Sequence, residues 1–432
     1  MQSISRRGFL SGMAAASLAA AAKANPIEEL IEPQLPNPTN NPINHIILVM
    51  MENRSFDHIL GWLPGANGRQ AGLTYRDKAG KSHSTYHLTN YQNCALEDPD
   101  HSYPGGRAQY DGGLCDGWLR AGTNDLFPIG YYGPQDLGFL SQAAPRWTVC
   151  DNYFAGIMAP TYPNRFYQHA AQTDRLDDST TLSTLPTIWD RLASAGVTGR
   201  YYYNDVPFTA LWGGTYLNIS RPYTQFLAEC ATGLLPQFSY VDPRFEDEST
   251  GTSNDDHPHA DIRNGEAFLN QVYTAVTNSP AWPNTVLIIN FDEWGGFFDH
   301  VPPPRKPIPA SDLALGSDGR LGFRVPALVI SPFARRGYLS GTQFDHTSVL
   351  KMIEWRWNLN PLTVRDQTAN NLATVLNFQS PNLVAPQFKV PIGPFLGACT
   401  SPATGGVPPI DSEETEWKAI RAIAKQYGFP LP

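Results

Sequence analysis

Residues 285–300 read TVLIINFDEWGGFFDH, and residues 46–58 read IILVMMENRSFDH. Each is a short, branched apolar run closed by acids and then by a Phe-Asp-His triplet. Runs of this length and composition suit strands buried on both faces, the signature of a mostly parallel sheet covered by helices. An acid at the end of such a strand is costly to bury unless a cation or strong donors meet it. In a parallel sheet both strand ends open on one crevice, so Glu52, Asn53, Asp292 and Glu293 are expected to converge on a single divalent metal ion. The alternative is that they cap the helices that follow.

Outward from these strands, Val325–Ser331 (VPALVIS) reads as a third strand. Helical spacing predicts helices over Leu185–Ala195 and Asp261–Asn278, and a last one opened by Asp411 and Glu414 and stopped at Gly428 and Pro430. Strands alternating with helices give an α/β fold, a three-layer sandwich around a mostly parallel sheet. Residues 62–150 and 197–255 are rich in Gly, Tyr and Asn and read as long loops, set over the strand ends or on the surface.

The chain has 432 residues, of which 16% are charged and 12% aromatic, with 36 Gly and 38 Pro. This composition excludes an extended disordered protein and suits a rigid frame with many turns. A net charge of −9 without a basic patch excludes a nucleic-acid binder. Five cysteines without a CxxC pair exclude a zinc knuckle; Cys94–Cys115 is the expected disulfide if the chain is exported. Export is expected from residues 1–24, where Arg6-Arg7 precede an apolar run (Phe9–Ala22) and an Ala-Lys-Ala cleavage pattern. That run is too short to span a bilayer, so residues 1–24 read as a twin-arginine signal and 25–432 as one domain, periplasmic or secreted.

Further candidates lie in loops. In Ala159-Pro160-Thr161-Tyr162-Pro163-Asn164-Arg165, two prolines fix the backbone around Thr161, and Asn164 and Arg165 offer donors to an anion. A hydroxyl so held beside a metal is a nucleophile for phosphoryl transfer; otherwise the stretch is a rigid loop. Its T-x-P-x-R spacing resembles the sulfatase signature, but threonine is not the residue converted there. His101, His257 and His346 each stand next to a carboxylate in sequence, able to bind metal, hold phosphate or protonate a leaving group. His346, after a capping Asp345, is the most cap-like of the three.

Taken in order, MENRSFDHILG, TYPNR, DDHP, FDEWGGFFDHVPPP and DHTSVLKMIEWRW resemble a bacterial and plant phosphoesterase family. That family includes non-specific and phosphatidylcholine-type phospholipases C and secreted acid phosphatases. The resemblance spans about residues 43–358 and implies an alkaline-phosphatase-like core. It implies that Glu52, Asn53, Asp292, Glu293 and Thr161 hold the metal, with Thr161 as the nucleophile that becomes phosphorylated. It also implies that His101, His257 and His346 meet the phosphoryl group or leaving group, joined by Asn204. The oxygen-rich ligand set makes Ca, Mn or Mg as suitable as Zn.

The activity expected is hydrolysis of phosphodiesters such as phosphatidylcholine, with acid phosphatase action on monoesters as the alternative and a non-catalytic binding protein a distant third. The partners expected are a phospholipid or small phosphate ester, with at most transient contact with a membrane surface, no nucleic acid and no obligate protein. Trp118, Tyr131 and Tyr132 would line an acyl groove, cage a choline, or form core.

Overall fold

The computed structural model describes residues 35–396 and 412–432. The expected signal at 1–24 and the Asp411 cap lie outside these residues. Eight strands form the central sheet: β1 (His45–Met51), β2 (Thr148–Cys150), β3 (Gly199–Tyr203), β4 (Ser220–Pro222), β5 (Phe238–Val241), β6 (Thr285–Phe291), β7 (Ala327–Ile330) and β8 (Tyr338–Ser340). Their order is β8-β2-β7-β6-β1-β5-β3-β4. Seven strands run the same way, and β7 alone is antiparallel to both neighbours. The third strand read from the sequence is therefore the reversed one.

Strand β1 lies at the centre, parallel to β5 and β6. Residues 46–51 and all of β6 are buried, which is why both runs are apolar at every position apart from Thr285 and Asn290. Burying each such Ile, Leu or Val contributes roughly 1.5–3 kcal/mol. The helices used below are α1 (Phe56–Leu60), α2 (Tyr103–Tyr110), α3 (Thr161–Ala170), α4 (Ile188–Ser194), α5 (Tyr223–Thr232), α6 (Ile262–Thr277), α7 (His346–Trp357) and α8 (Ser412–Gln426).

Side chains alternate across the sheet and define the layers. On one face, Tyr240 stacks on His169 of α3 at 4.6 Å between ring centroids, and Phe238 meets Trp189 of α4 at 4.9 Å. On that face Asn290 of β6 approaches His346 of α7. On the other face Tyr202 meets Phe226 of α5, which carries α6 through the Tyr223–Phe268 pair. The result is the α/β three-layer sandwich.

Local signals place the helices. Thr187 and Asp190 form a capping box ahead of α4, and the Asp261 side chain caps α6. Segment 62–150 includes two short ribbons, Thr74–Arg76 with Ser82–Ser84 and Tyr86–His87 with Gly130–Tyr131. Trp118 and Tyr132 are fully buried core residues, while Tyr131 is half-buried. The expected Cys94–Cys115 pair is not formed: Cys94 is disulfide-bonded, whereas Cys115 is a free thiol. Cys115 sits in an apolar cluster with Trp118 and Phe323, and burial pushes its thiol up to about 12.

Candidate active site

Met51 and Phe291 are in register, so Glu52 and Asp292 begin side by side one residue beyond the sheet. A third acid joins them: Asp242 follows Val241, which pairs with Val49. Thus three adjacent parallel strands, β6, β1 and β5, all end in a carboxylate. All three acids are fully buried, as are Asn53 and Glu293. The backbone N–H of Asn53 donates to Asp292 Oδ1 at 3.1 Å, and that of Glu293 donates to the same oxygen at 2.7 Å. Asn53 adopts φ +58°, a conformation asparagine tolerates better than most residues. Gly295 packs directly on it; a Cβ there would lie 2.0 Å from the Asn53 carbonyl oxygen, so only glycine fits.

Thr161 reaches this cluster from the other side. It is the first residue of α3, fully buried, and its hydroxyl donates to Asn53 Oδ1 at 3.1 Å. Pro163 is tolerated because the first helical turn has no intrahelical acceptors for its N–H groups. Asn164 holds the turn: its amide donates to the carbonyls of Ala159 and Pro160 at 2.7 and 3.1 Å, and its Oδ1 accepts from Ile157 N–H at 3.0 Å. The Asn164 amide group therefore sets the backbone under Thr161; its donors face the chain, where an anion had been expected.

Arg165, one helical turn after Thr161, points back beneath the acids. Its Nη2 lies 3.0 Å from Glu52 Oε1, its Nη1 2.8 Å from Asp242 Oδ1 and its Nε 3.3 Å from Asp292 Oδ2. Phe245 and Trp417 of α8 cover the guanidinium, 4.7 and 5.6 Å from the ring centroids. Arg165 is thus a buried counter-ion to three carboxylates, in contrast to the expected phosphate donor. Burial raises the Asp242 carboxyl above its usual range against the pull of Arg165 and of the Tyr201 hydroxyl.

The histidines divide into two sets. His346 is fully buried, and burial lowers its imidazole to about 4, so it is neutral near pH 7. Its Nε2 donates to the Asp292 carbonyl at 2.6 Å, which leaves Nδ1 as acceptor toward Tyr153 Oη at 3.3 Å. His346 thereby braces the backbone of the acid loop. His101 and His257 face each other with ring centroids 6.2 Å apart, and with Asp98 each offers a ligating atom within 4.8 Å of the others'. Glu248 Oε1 lies 2.7 Å from His257 Nδ1.

The loop bearing His257 is tied to the β1 end, because Asp255 O accepts from Glu52 N–H and Arg54 donates to the carbonyls of Asp256 and His257. The loop before His101 rests on the β6 end, where Gly296 abuts Pro99 and Asp100. Asn204 donates to the Asp242 carbonyl at 2.8 Å and borders a cavity of about 660 Å³ shared with Asn264, Phe268 and Val390.

The two Phe-Asp-His triplets form a further cluster. Arg324 Nη2 lies 3.2 Å from Asp57 and Nε 2.9 Å from Asp299, while His300 Nδ1 lies 2.6 Å from Asp57. Arg324 bridges this acid pair and so ties the two loops together. Asp242, Arg54 and Arg324 were not singled out from the sequence. Asp242 carries the same strand-then-acid signal (FSYVD) as Glu52 and Asp292; the two arginines have none.

Oxygen donors end these strands: the carboxylates of Glu52 and Asp292 and the Asn53 amide oxygen, which meets the Thr161 hydroxyl, with Glu293 next in the chain, its Oε2 accepting from Gly295 N–H at 2.9 Å. Glu52, Asp292 and Asp242 share the Arg165 guanidinium, and an all-oxygen donor set of this kind has the chemistry of a hard divalent cation. Residues 43–360 match the model of the Phosphoesterase family. The chain is 31% identical over 385 residues to non-specific phospholipase C1 of Arabidopsis thaliana, covering 78% of this chain and 71% of that protein. It is 32% identical over 458 residues to phospholipase C B of Mycobacterium tuberculosis, covering 88% and 86%. A solved structure of a protein in the alkaline phosphatase superfamily from Vibrio parahaemolyticus is similar with TM-score 0.38 and 10% identity, covering 92% and 90%. With a family match across most of its length and these relatives, the chain belongs to the Phosphoesterase family and is a hydrolase of phosphoric ester bonds.

Proposed function

We propose that the protein is an exported, metal-dependent phosphoesterase of the phospholipase C type, cleaving phosphodiesters such as phosphatidylcholine through a phosphorylated Thr161. The observation that carries this reading is the 3.1 Å contact of the Thr161 hydroxyl with Asn53, at the point where the acid-bearing ends of β1 and β6 meet. Glu52, Asn53, Asp292, Glu293 and Thr161 are the residues that would hold the cation. A divalent ion held by them would favour the Thr161 alkoxide and offset charge on the phosphoryl oxygens.

Thr161 Oγ1 attacks phosphorus opposite the leaving alcohol. The Oγ–P bond forms as the Thr161 hydroxyl proton passes to solvent, the P–O bond to the alcohol breaks, and the alcohol leaves with a proton from the His101–His257 pair, which solvent replaces. Water then adds its oxygen to phosphorus, the Oγ–P bond breaks and Thr161 Oγ1 takes one of the protons of that water. Arg165, Asn164 and His346 keep the acids and the helix start in place throughout. Export rests on the Arg6-Arg7 segment.

Side-by-side hydrolysis of p-nitrophenyl phosphate and p-nitrophenyl phosphorylcholine tests the reading. The phosphorylcholine ester should be cleaved faster, and a chelator should both stop turnover and lower Tm. Preference for the monoester would establish the acid phosphatase alternative, and full turnover after chelation would remove the metal from the mechanism.

A further inference from the structure

Residues 302–320 leave the sheet as a long loop zipped at its base, where Lys306 N–H donates to Gly319 O at 2.8 Å and Leu321 N–H to Pro304 O at 2.9 Å. Beyond that zip the chain turns outward through the five-residue helix Ala310–Ala314. Leu313 is 58% exposed and Leu315 39% exposed, flanked by exposed Ala310 and Ala314. Leu313 and part of Leu315 are apolar surface that the fold leaves uncovered at the loop tip.

The tip is held rigidly to the catalytic frame. Next to Leu313 in the short helix, Asp312 is fully buried and accepts from the Tyr167 hydroxyl at 2.5 Å. Tyr167 belongs to α3, the helix that Thr161 begins. On its other flank the loop meets α2, which follows His101: Tyr103 Oη donates to Gly316 O at 2.9 Å. The exposed apolar tip is therefore fixed to both elements that carry the proposed chemistry.

The base of the loop is cationic. Arg107, Arg305 and Arg320 converge on one carboxylate, Asp318, at 3.1, 3.0 and 3.8 Å, and Lys306 follows Arg305 in the chain. Arg305, Lys306 and Arg320 thus flank the zip at the base of the loop, with Arg107 of α2 on the same carboxylate, in a chain of net charge −9. Leu114, still more exposed at 73%, differs: it lies between Asp111 and Asp116, which share only Arg120. Exposed leucines on a loop whose base bears arginine and lysine match the chemistry of an anionic bilayer interface, apolar beneath a negative surface.

We propose that the 307–316 tip is a membrane-docking element. Leu313 and Leu315 enter the interface of an anionic bilayer, and Arg305 and Lys306 meet its headgroups. The inference rests on the phospholipase C reading and supplies the means by which a compact domain would reach a substrate that stays in the membrane.

The test uses the full protein with vesicles of pure phosphatidylcholine and of phosphatidylcholine with phosphatidylglycerol, read by co-sedimentation. The wild type should bind the mixed vesicles and release them as salt rises. Leu313→Asp/Leu315→Asp should weaken binding at least about tenfold, and Arg305→Glu/Lys306→Glu should abolish the preference for anionic vesicles. Leu114→Asp should bind as the wild type does. All variants should keep wild-type Tm and wild-type hydrolysis of the soluble phosphorylcholine ester. Unchanged vesicle binding by the double-leucine variant, no binding by the wild type, or equal binding to both vesicle types would overturn the proposal. Failure to cleave the soluble ester would instead count against the phospholipase C reading.

Discussion

The hydroxyl of Thr161 donates to the side-chain oxygen of Asn53 at 3.1 Å, joining the start of a buried helix to the end of the central strand across 108 positions of sequence. Asn53 in turn receives its place from Asp292 Oδ1, which accepts its N–H. A single chain of contacts therefore runs from strand β6 through β1 to α3, and a change at any link should be felt at the hydroxyl.

Thr161→Ser keeps the oxygen and loses only the methyl group, so it should retain turnover within about 10–100-fold of wild type. Thr161→Ala removes the nucleophile and should lose at least about 10³-fold in kcat. Mass spectrometry of the quenched wild-type reaction should find the phosphorylcholine adduct on the peptide that contains Thr161. Turnover by Thr161→Ala comparable to that of the serine variant would take the residue out of the chemistry.

Arg165 sits fully buried among Glu52, Asp242 and Asp292. Arg165→Met leaves those carboxylates without their shared guanidinium and should destabilise the protein by about 3–5 kcal/mol. Adding Asp242→Asn should recover part of that loss, since one uncompensated charge is removed. Chemical denaturation measures both; a stability change for Arg165→Met within about 0.5 kcal/mol would contradict the counter-ion role.

Arg324, Asp57 and Asp299 should behave as one unit. Arg324→Met and Asp299→Asn are each expected to cost about 2–4 kcal/mol, and the double variant clearly less than their sum, because the second change removes a charge already stranded by the first. A double-mutant cycle in urea reads the coupling directly. Strict additivity would mean that the two side chains do not interact energetically.

Glu266 gives the fold a pH dependence. It is buried under the N–H groups of Phe139 and Leu140, and burial raises its carboxyl from 4.5 to about 7. Below about pH 4.5 the group is protonated whether the chain is folded or not. Between there and about pH 7 the unfolded chain ionises first, so the folded state loses stability as pH rises and then levels off. Glu266→Gln should lose less stability than wild type across this window, where Asp205 and Asp299, both raised to about 6, still titrate, and should stand about 1–3 kcal/mol above wild type by pH 8. Parallel pH–Tm curves for the two proteins would refute the assignment.

What the sequence determined by itself was whatever is written in local pattern. Two-sided burial demands unbroken apolar runs, so β1 and β6 and the acids that end them were legible, as were the helices whose caps, Thr187 and Asp261, lie beside their first turns. The Pro160–Pro163 frame likewise marked Thr161, because proline restricts the backbone wherever it stands. Tertiary structure decided the rest, since ion pairs between distant segments leave no trace in spacing. It reversed β7, freed Cys115 and made Arg165 a counter-ion to carboxylates from three strands. It also turned His346 inward to a carbonyl and placed Arg324 between two acids 242 residues apart. A side chain's charge is fixed by its type, but what that charge answers is fixed only when the chain has folded around it.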